Sequence, residues 1–564
     1  MARSVLIALD APGSPLVGQA ARLLREQINT RCSAAICSAH EGELRIALGI
    51  EPGVGTQGFR IEEARDGTVR IVGNDERGLI YGVGRFLRGS RFGEGAFGPS
   101  AWRGDSTPEK PVRGIYFGAF ANYYCTAPVD EIRRYLEELA LWGCNSLTVV
   151  LPLAPAGPDD QAGLARLARQ RAIIEAARDV GMSVGVLIIA NGVPVPAPEL
   201  RAQGPGRGAF VPDESVCPSI PRGRELLLKQ FDAAFEALDD VGIDHVVIWP
   251  YDAGGCDCEQ CRPWGANGFL RIAEAEADLF RRHYPKGKVI LATWYFDDGE
   301  WAALEERFRE RPVWADYILA DNALTHFPTF PVEHGVPGDL PMVSFSEISM
   351  WDTGGWGPWG GFGANPAPGL LQRSWDQAGA KLAGGYPYSE GIFEDVNKVI
   401  ALQFCWDAGR KAVDVVREYA AFEYSPEVAD DVVTAVEILE ANGPRLLLDQ
   451  EAGRYELRKD EDGVLRGVVR LAQPDAGAEG CYQLLAAADR KLSTYARNSW
   501  RWRILLLRAI IDKELVAHNG LLTAECEQAT RELDRIYHAE GAPPTVKPPY
   551  AEWLLRINGG SEQP

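Results

Sequence analysis

The chain has no surplus of positive charge: 58 lysines and arginines face 79 aspartates and glutamates, a formal net charge of −21 over 564 residues. Nucleic acid and anionic membrane surfaces both need a basic footprint, so neither partner is expected. A locally basic pocket for an acidic ligand stays open. No apolar run reaches the length of a membrane-spanning helix. The first ten residues carry too short an apolar stretch for a signal peptide and no clean cleavage site, and read as a first β-strand. Walker loops, dinucleotide glycine fingerprints and His-Glu-x-x-His are missing, as are internal repeats and low-complexity tracts. Cysteine is not patterned as a disulfide framework: the count of 11 is odd, and Cys37, Cys144 and Cys405 stand singly in apolar surroundings. Such thiols are small core hydrophobes of a reducing compartment, so a cytoplasmic location is expected.

What is present is a long chain of ordinary globular composition, 46% hydrophobic and 24% charged, with room for about three domains. Residues 1–105 pattern as a small α+β domain, with strands at Val5–Leu9, Leu44–Leu48, Gly58–Glu63 and Thr68–Val72. Helical periods run over Pro15–Asn29 and from a cap at Asn74 or Asp75. Over 110–410 strand and helix patterns alternate. Strands are predicted at Val112–Ala119, Ser146–Leu153, Ser183–Ala190, His245–Asp252, Lys288–Phe296, Tyr317–Asp321, Met342–Ile348 and Gly385–Ser389. The fold class is therefore α/β: a (β/α)8 TIM barrel flanked by an N-terminal α+β domain and, over 411–564, a C-terminal helical domain. A doubly wound sheet is the alternative. The sixth unit is the weakest, since 322–341 shows no clear helix. The basic-aromatic run Arg497–Arg503 reads as a domain interface or as a reach into the site.

A parallel barrel gathers the C-terminal ends of its strands at one mouth. Those ends carry Asp252, Asp297 with Asp298, Asp321, Glu347, and Glu390 with Glu394 and Asp395. Carboxylates at consecutive strand ends suit glycosidic cleavage, in which one acid protonates the leaving oxygen and another attacks or activates water. Single acidic residues are usually solvated, and Glu394 or Asp395 reads equally as a helix cap. Trp249, Tyr251, Trp264, Trp294, Tyr295, Trp301, Trp351, Trp356, Trp359, Tyr386 and Tyr388 accompany them. The glycine-rich, aromatic loop 349–363 suits stacking on sugar faces, or packs on itself as an Ω-loop. Arg113, Asn191, Tyr116 and Asn122 stand near early strand ends, where they can bind hydroxyls or a carboxylate. Cys256, Cys258 and Cys261 follow the fourth strand at C-x-C-x-x-C spacing, and Cys217 lies in the loop after the third. Four thiolates can close a tetrahedral structural zinc site; the alternative is a loop held by packing alone.

Several stretches resemble known families. The Gly-x-x-Tyr-Gly-x-x-x-Phe-Leu helix at 78–87, in its β-α-β-β-β-α context, resembles the domain preceding the barrel in β-N-acetylhexosaminidases and α-glucuronidases, where that domain is structural. Asp252 after strand four and Glu347 in strand seven resemble the acid/base and nucleophile of retaining barrel glycosidases, although those families use Glu at both places. The Asp-Glu pair that ends strand four in hexosaminidases is missing; Asp297-Asp298 follows strand five instead. Residues 388–398 resemble the last barrel strand and turn of glycoside-hydrolase-like proteins. The cysteine pattern resembles the four-cysteine zinc cluster of zinc-containing β-galactosidases. The resemblance implies a glycoside hydrolase acting on a carbohydrate substrate, with Asp252 as general acid, Glu347 as nucleophile or base, and Glu390 and Asp297 in support. A non-hydrolytic carbohydrate-binding barrel and a sugar-acid lyase or isomerase are the alternatives. Oligomeric state, a homo-oligomer included, stays open.

Overall fold

The computed structural model describes residues 1–10, 14–37, 42–118, 123–155, 157–204, 207, 210–322, 327–348, 363–442, 456–469, 471, 477–540, 548 and 550–559, without the side chains of 321, 322, 553 and 557–559. The N-terminal strands β1 (Ser4–Leu9), β2 (Ala35–Cys37), β3 (Leu44–Ile50), β4 (Phe59–Glu63), β5 (Val69–Gly73) and a later strand, Gly104–Ser106, form one sheet. The pairings of β4 with β5 and with Gly104–Ser106 are antiparallel, and the others are parallel. Helices α1 (Pro15–Cys32) and α2 (Glu76–Arg88) pack on this sheet, and Asp75 caps α2 by accepting the Gly78 N–H at 2.8 Å. The glycines of α2 are spacing devices. A Cβ on Gly82 would stand 2.9 Å from Ile71, and one on Gly84 would stand 1.9 Å from the Leu141 carbonyl oxygen. The motif thus docks the domain on the first barrel helix, Val129–Leu141.

All eight predicted barrel strands form. With β6 (Arg91–Gly93), β7 (Ala96–Gly98) and β8 (Gly104–Ser106) preceding them, they are β9 (Val112–Phe117), β10 (Ser146–Val150), β11 (Ser183–Ile189), β12 (His245–Trp249), β13 (Lys288–Ala292), β14 (Tyr317–Asn322), β15 (Met342–Ser346) and β16 (Leu382–Gly385). They pair in sequence, and β9 pairs in parallel with both β10 and β16, which closes the barrel and excludes the doubly wound sheet. The last strand is split, its continuation β17 (Tyr388–Ser389) pairing with β9. The sixth unit has only the short helix Thr329–Glu333. Leu187, Val247, Ile290, Leu319 and Val343 fill the interior. Near its base the buried His245 ring meets the Thr148 hydroxyl at 2.8 Å, and burial lowers its pKa to about 4. That imidazole is interior packing against Tyr386.

Helices continue after the barrel: Ala412–Glu423, Ala429–Asn442, Ala478–Asp489, Trp500–Ala517, Ala524–Ile536 and Ala551–Gly559, with a hairpin of Glu456–Lys459 and Leu465–Val468. Apolar period alone predicts one helix over Leu484–Asp512, but the chain breaks it. The Ser493 hydroxyl accepts the Ala496 N–H at 3.2 Å and starts a new helix. No helix among the described residues is long and apolar enough to cross a membrane.

One core residue violates the usual rule for carboxylates. Glu276, in helix Gly268–His283, is fully buried, and neither carboxylate oxygen has a hydrogen-bond partner among the described residues. Burial pushes its carboxyl well above the ordinary value, against a weaker pull from Arg224. Above the unfolded pKa of ~4.3 the unfolded chain ionises while the folded chain keeps the proton. Stability then falls by about 1.4 kcal/mol per pH unit until the folded pKa is reached. Glu276→Leu is expected to stabilise the protein in urea melts, by at least about 1 kcal/mol more at pH 8 than at pH 5. An equal gain at both values would show that the proton is not held there.

Candidate active site

Asp252 leaves the end of β12 with φ +73°, in the left-handed region that non-glycine residues seldom occupy. Tyr295, beyond the end of β13, does the same at φ +59°. Backbone conformations of this kind, each worth about 1–3 kcal/mol of strain, concentrate where a structure over-determines a site. Two of the mouth's loops carry one each.

Across the mouth, Glu347 follows β15 and Glu390 follows β17; the two strand ends meet in a parallel bridge between Glu347 and Tyr388. Both carboxylates are buried, at 8% and 2% exposure. The Tyr388 hydroxyl donates to Glu390 Oε1 at 2.5 Å, and its ring stacks on Tyr116 at 5.7 Å between centroids. Burial pushes the Tyr116 phenol up, and the charges of Asp252 and Glu390 push it further. Burial also raises Tyr388, followed by the charges of Glu390 and Glu347. The charges of Asp252, Glu347 and Glu390 thus act on one stacked pair of tyrosines.

The turn holding Glu390 is fixed from beneath. Glu394 Oε1 accepts from the Ser389 hydroxyl at 2.8 Å and from the N–H groups of Glu390 and Gly391 at 2.7 and 2.9 Å. Tyr537, after the C-terminal helix Ala524–Ile536, donates its hydroxyl to the Glu390 carbonyl at 2.8 Å. Sequence reasoning missed both roles. Glu394 was legible only as a cap, and Tyr537 carries no local signal. Tyr537→Phe removes a buried donor and is expected to lower stability by about 1 kcal/mol in denaturant titrations; an unchanged midpoint would contradict that bond.

Aromatic side chains wall the same mouth. Trp249 packs against Trp294 at 5.3 Å and Phe345 at 4.7 Å, and Trp294 against the exposed Tyr295 at 5.0 Å. The Trp294 indole N–H meets no acceptor among the described residues. Trp351, Trp356, Trp359 and Asn122 lie outside the described residues, as does the Asp321 side chain.

Four expectations are corrected. Arg113 sits at the opposite end of its strand from the mouth, where its guanidinium donates to the carbonyls of Gly143 and Lys110 and to Gln57, joining the barrel to the N-terminal domain. Asn191 is fully buried and spends its amide on loop backbone: Nδ2 donates to Val216 and Gly255 carbonyls, and Oδ1 accepts the Gly255 N–H. Asp297 is the N-cap of helix Asp298–Glu310 in a capping box with Glu300, and pairs with Arg207 at 2.8 Å. Burial opposes its charge, but the Glu300 N–H and Arg207 hold the Asp297 carboxyl below its usual value. Tyr251 turns to the same network, donating to Glu300 under the Arg207 guanidinium. Glu300, buried and bonded to Tyr251, Gly265, Arg207 and Asp297, is the hub that sequence reasoning overlooked, though Asp-x-x-Glu at 297–300 spells the capping box. Trp264 and Trp301 are core residues.

The four cysteines do converge. Their sulfurs lie within 4.8 Å of one another, Cys217 Sγ being 3.8 Å from Cys258 Sγ and 4.0 Å from Cys261 Sγ. Four thiolates about 2.3 Å from a tetrahedral ion stand about 3.8 Å apart, so the set fits such an ion.

No protein-family model matches the chain, and no curated protein matches it. Solved structures do. A family GH115 4-O-methyl-α-glucuronidase with specificity for decorated arabinogalactans superimposes with TM-score 0.61 at 12% identity, over 94% of this chain and 76% of that one. A family 89 glycoside hydrolase from Clostridium perfringens, solved with GlcNAc-α-1,4-galactose, gives 0.61 at 12%, over 93% and 64%. A GH138 enzyme targeting pectin rhamnogalacturonan II gives 0.55 at 10%, over 98% of both chains. At these identities the likeness establishes the fold: the barrel with flanking domains is one that glycoside hydrolases share, as the layout in the sequence implied.

Proposed function

We propose that the protein is a glycoside hydrolase that cleaves its substrate between two carboxyl groups at the barrel mouth. The observation that carries this is the gathering of Asp252, Glu347 and Glu390, far apart in sequence, around the Tyr116–Tyr388 pair. Asp252 protonates the leaving oxygen, and Glu347 attacks the anomeric carbon or activates water. Glu390, fixed by Glu394 and Tyr537, orients a sugar hydroxyl and tunes the Tyr388 phenol. The wall of Trp249, Trp294 and Tyr295 offers flat apolar faces for the ring. The similar structures named above include a 4-O-methyl-α-glucuronidase and a family 89 glycoside hydrolase, so uronides belong beside neutral glycosides among the candidates. The test is a panel of aryl glycosides and aryl uronides with NMR observation of the first anomer released. Hydrolysis of at least one is expected. Binding without turnover across the panel would instead make this a carbohydrate-binding barrel.

A further inference from the structure

Cys217, Cys256 and Cys261 are almost wholly buried and Cys258 is half-buried, and the four come from two loops on the mouth side of the barrel. Cys217 is not placed for a disulfide to Cys258 or Cys261, since an S–S bond is about 2.05 Å and its separations from them are 3.8 and 4.0 Å. The backbone around them is shaped. The N–H groups of Cys261 and Arg262 both bond to the Cys258 carbonyl at 3.0 Å, a tight knuckle that turns both end sulfurs the same way. Cys217 N–H is held by the Leu200 carbonyl within the loop after β11, and Asp257 N–H donates to the Gln203 carbonyl, which joins the loop after β12 to that same loop.

We infer that Cys217, Cys256, Cys258 and Cys261 bind one structural zinc ion that clasps the loop after β11 to the loop after β12. A soft, all-sulfur tetrahedral set selects zinc among the abundant divalent ions, and iron is the other ion it accepts. With four thiolates no coordination position is left for water, so the ion activates nothing. Its effect is mechanical. Asp252 lies four residues before Cys256, in the left-handed conformation, and the buried Asn191 amide already bridges the same two loops at Gly255 and Val216. The ion completes that suture and keeps Asp252 at the mouth. This last consequence rests on the glycosidase reading; the zinc site does not.

The test uses the full chain produced in zinc-supplemented medium, with metal content measured by plasma mass spectrometry and zinc release followed by a chromogenic chelator during mercurial titration. One equivalent of zinc per chain, released as four thiols are consumed, is expected. Cys258→Ser and Cys217→Ser should retain well under half an equivalent and melt at lower temperature, while Cys405→Ser keeps the metal. Metal-free protein whose four thiols titrate in the native state overturns the site. A disulfide among these cysteines in peptide mapping overturns it too. An equivalent of iron in place of zinc overturns the choice of ion. The wild-type stoichiometry is a readout independent of whether the two cysteine variants fold. If zinc is present and its removal leaves glycoside turnover unchanged, the link to Asp252 falls. If no glycoside is ever turned over, the glycosidase reading falls and the metal result is untouched.

Discussion

Glu347→Gln is expected to lower kcat/KM on the best aryl glycoside by about 10³-fold or more, the range that a reacting carboxyl commands in such sites. Glutamine keeps the shape of the buried side chain, so the fold should hold and the loss should be chemical. Asp252→Asn is the partner experiment. Asparagine tolerates the left-handed conformation that Asp252 adopts, so the turn is preserved while the proton is lost. If Asp252 is the general acid, the loss depends on the leaving group. A dinitrophenolate departs without protonation and should be cleaved at nearly the wild-type rate, whereas an alkyl or sugar leaving group should slow by about 10²–10⁴-fold. Glu347→Gln should slow both alike. Full activity in both variants would remove these two carboxylates from the chemistry and turn attention to Glu390.

How much of this was legible beforehand varies with the kind of signal. The barrel was legible because its strands are apolar and β-branched runs buried on both faces, and each predicted strand start falls within a few residues of the observed one. Strand ends were legible for the same reason, which is why Glu347 and Glu390 were found at the mouth. The failures share a cause. Arg113, Asn191 and Tyr251 are polar residues whose position along a strand or loop was right but whose side chains are committed to backbone or side-chain groups of other segments. A single sequence reports what a residue can bond to, not which distant carbonyl is waiting for it. Asp297 was misjudged for a more avoidable reason, because its capping box is a local pattern. The cysteine cluster sits between these extremes: three of its members were given by spacing, and the fourth by loop topology.

The run Arg497–Arg503 proves to be an interface, and its Arg501 carries the largest stability effect we expect. Its Nε lies 2.8 Å from Asp395 Oδ2 and its Nη1 2.8 Å from Glu138. Asp395, at the start of the last barrel helix, also accepts the hydroxyls of Tyr135 and Tyr419, each at 2.7 Å. Arg501 and Asp395 are 4% and 2% exposed, so little solvent screens them. Arg501→Met leaves the buried Asp395 and the partly buried Glu138 without their main counter-charge and should cost about 3–5 kcal/mol in urea unfolding at pH 7. The pH dependence follows from the same groups. Burial alone would raise the Asp395 carboxyl, but Arg501 and Lys398 hold it below its ordinary value, so it supplies stability above its unfolded pKa of ~3.9 that disappears as pH falls through the folded one. Without Arg501 the burial effect dominates, the folded carboxyls take up protons, and the deficit of the variant should shrink on going from pH 7 to pH 4.5. A deficit below about 1 kcal/mol, or one indifferent to pH, would mean that Lys398 and the tyrosines suffice. The consequence reaches the mouth: Asp395 stands five residues beyond Glu390, in the helix whose first turn bears Glu394 and Lys398, so loosening this buried pair should also blur the turn that presents Glu390.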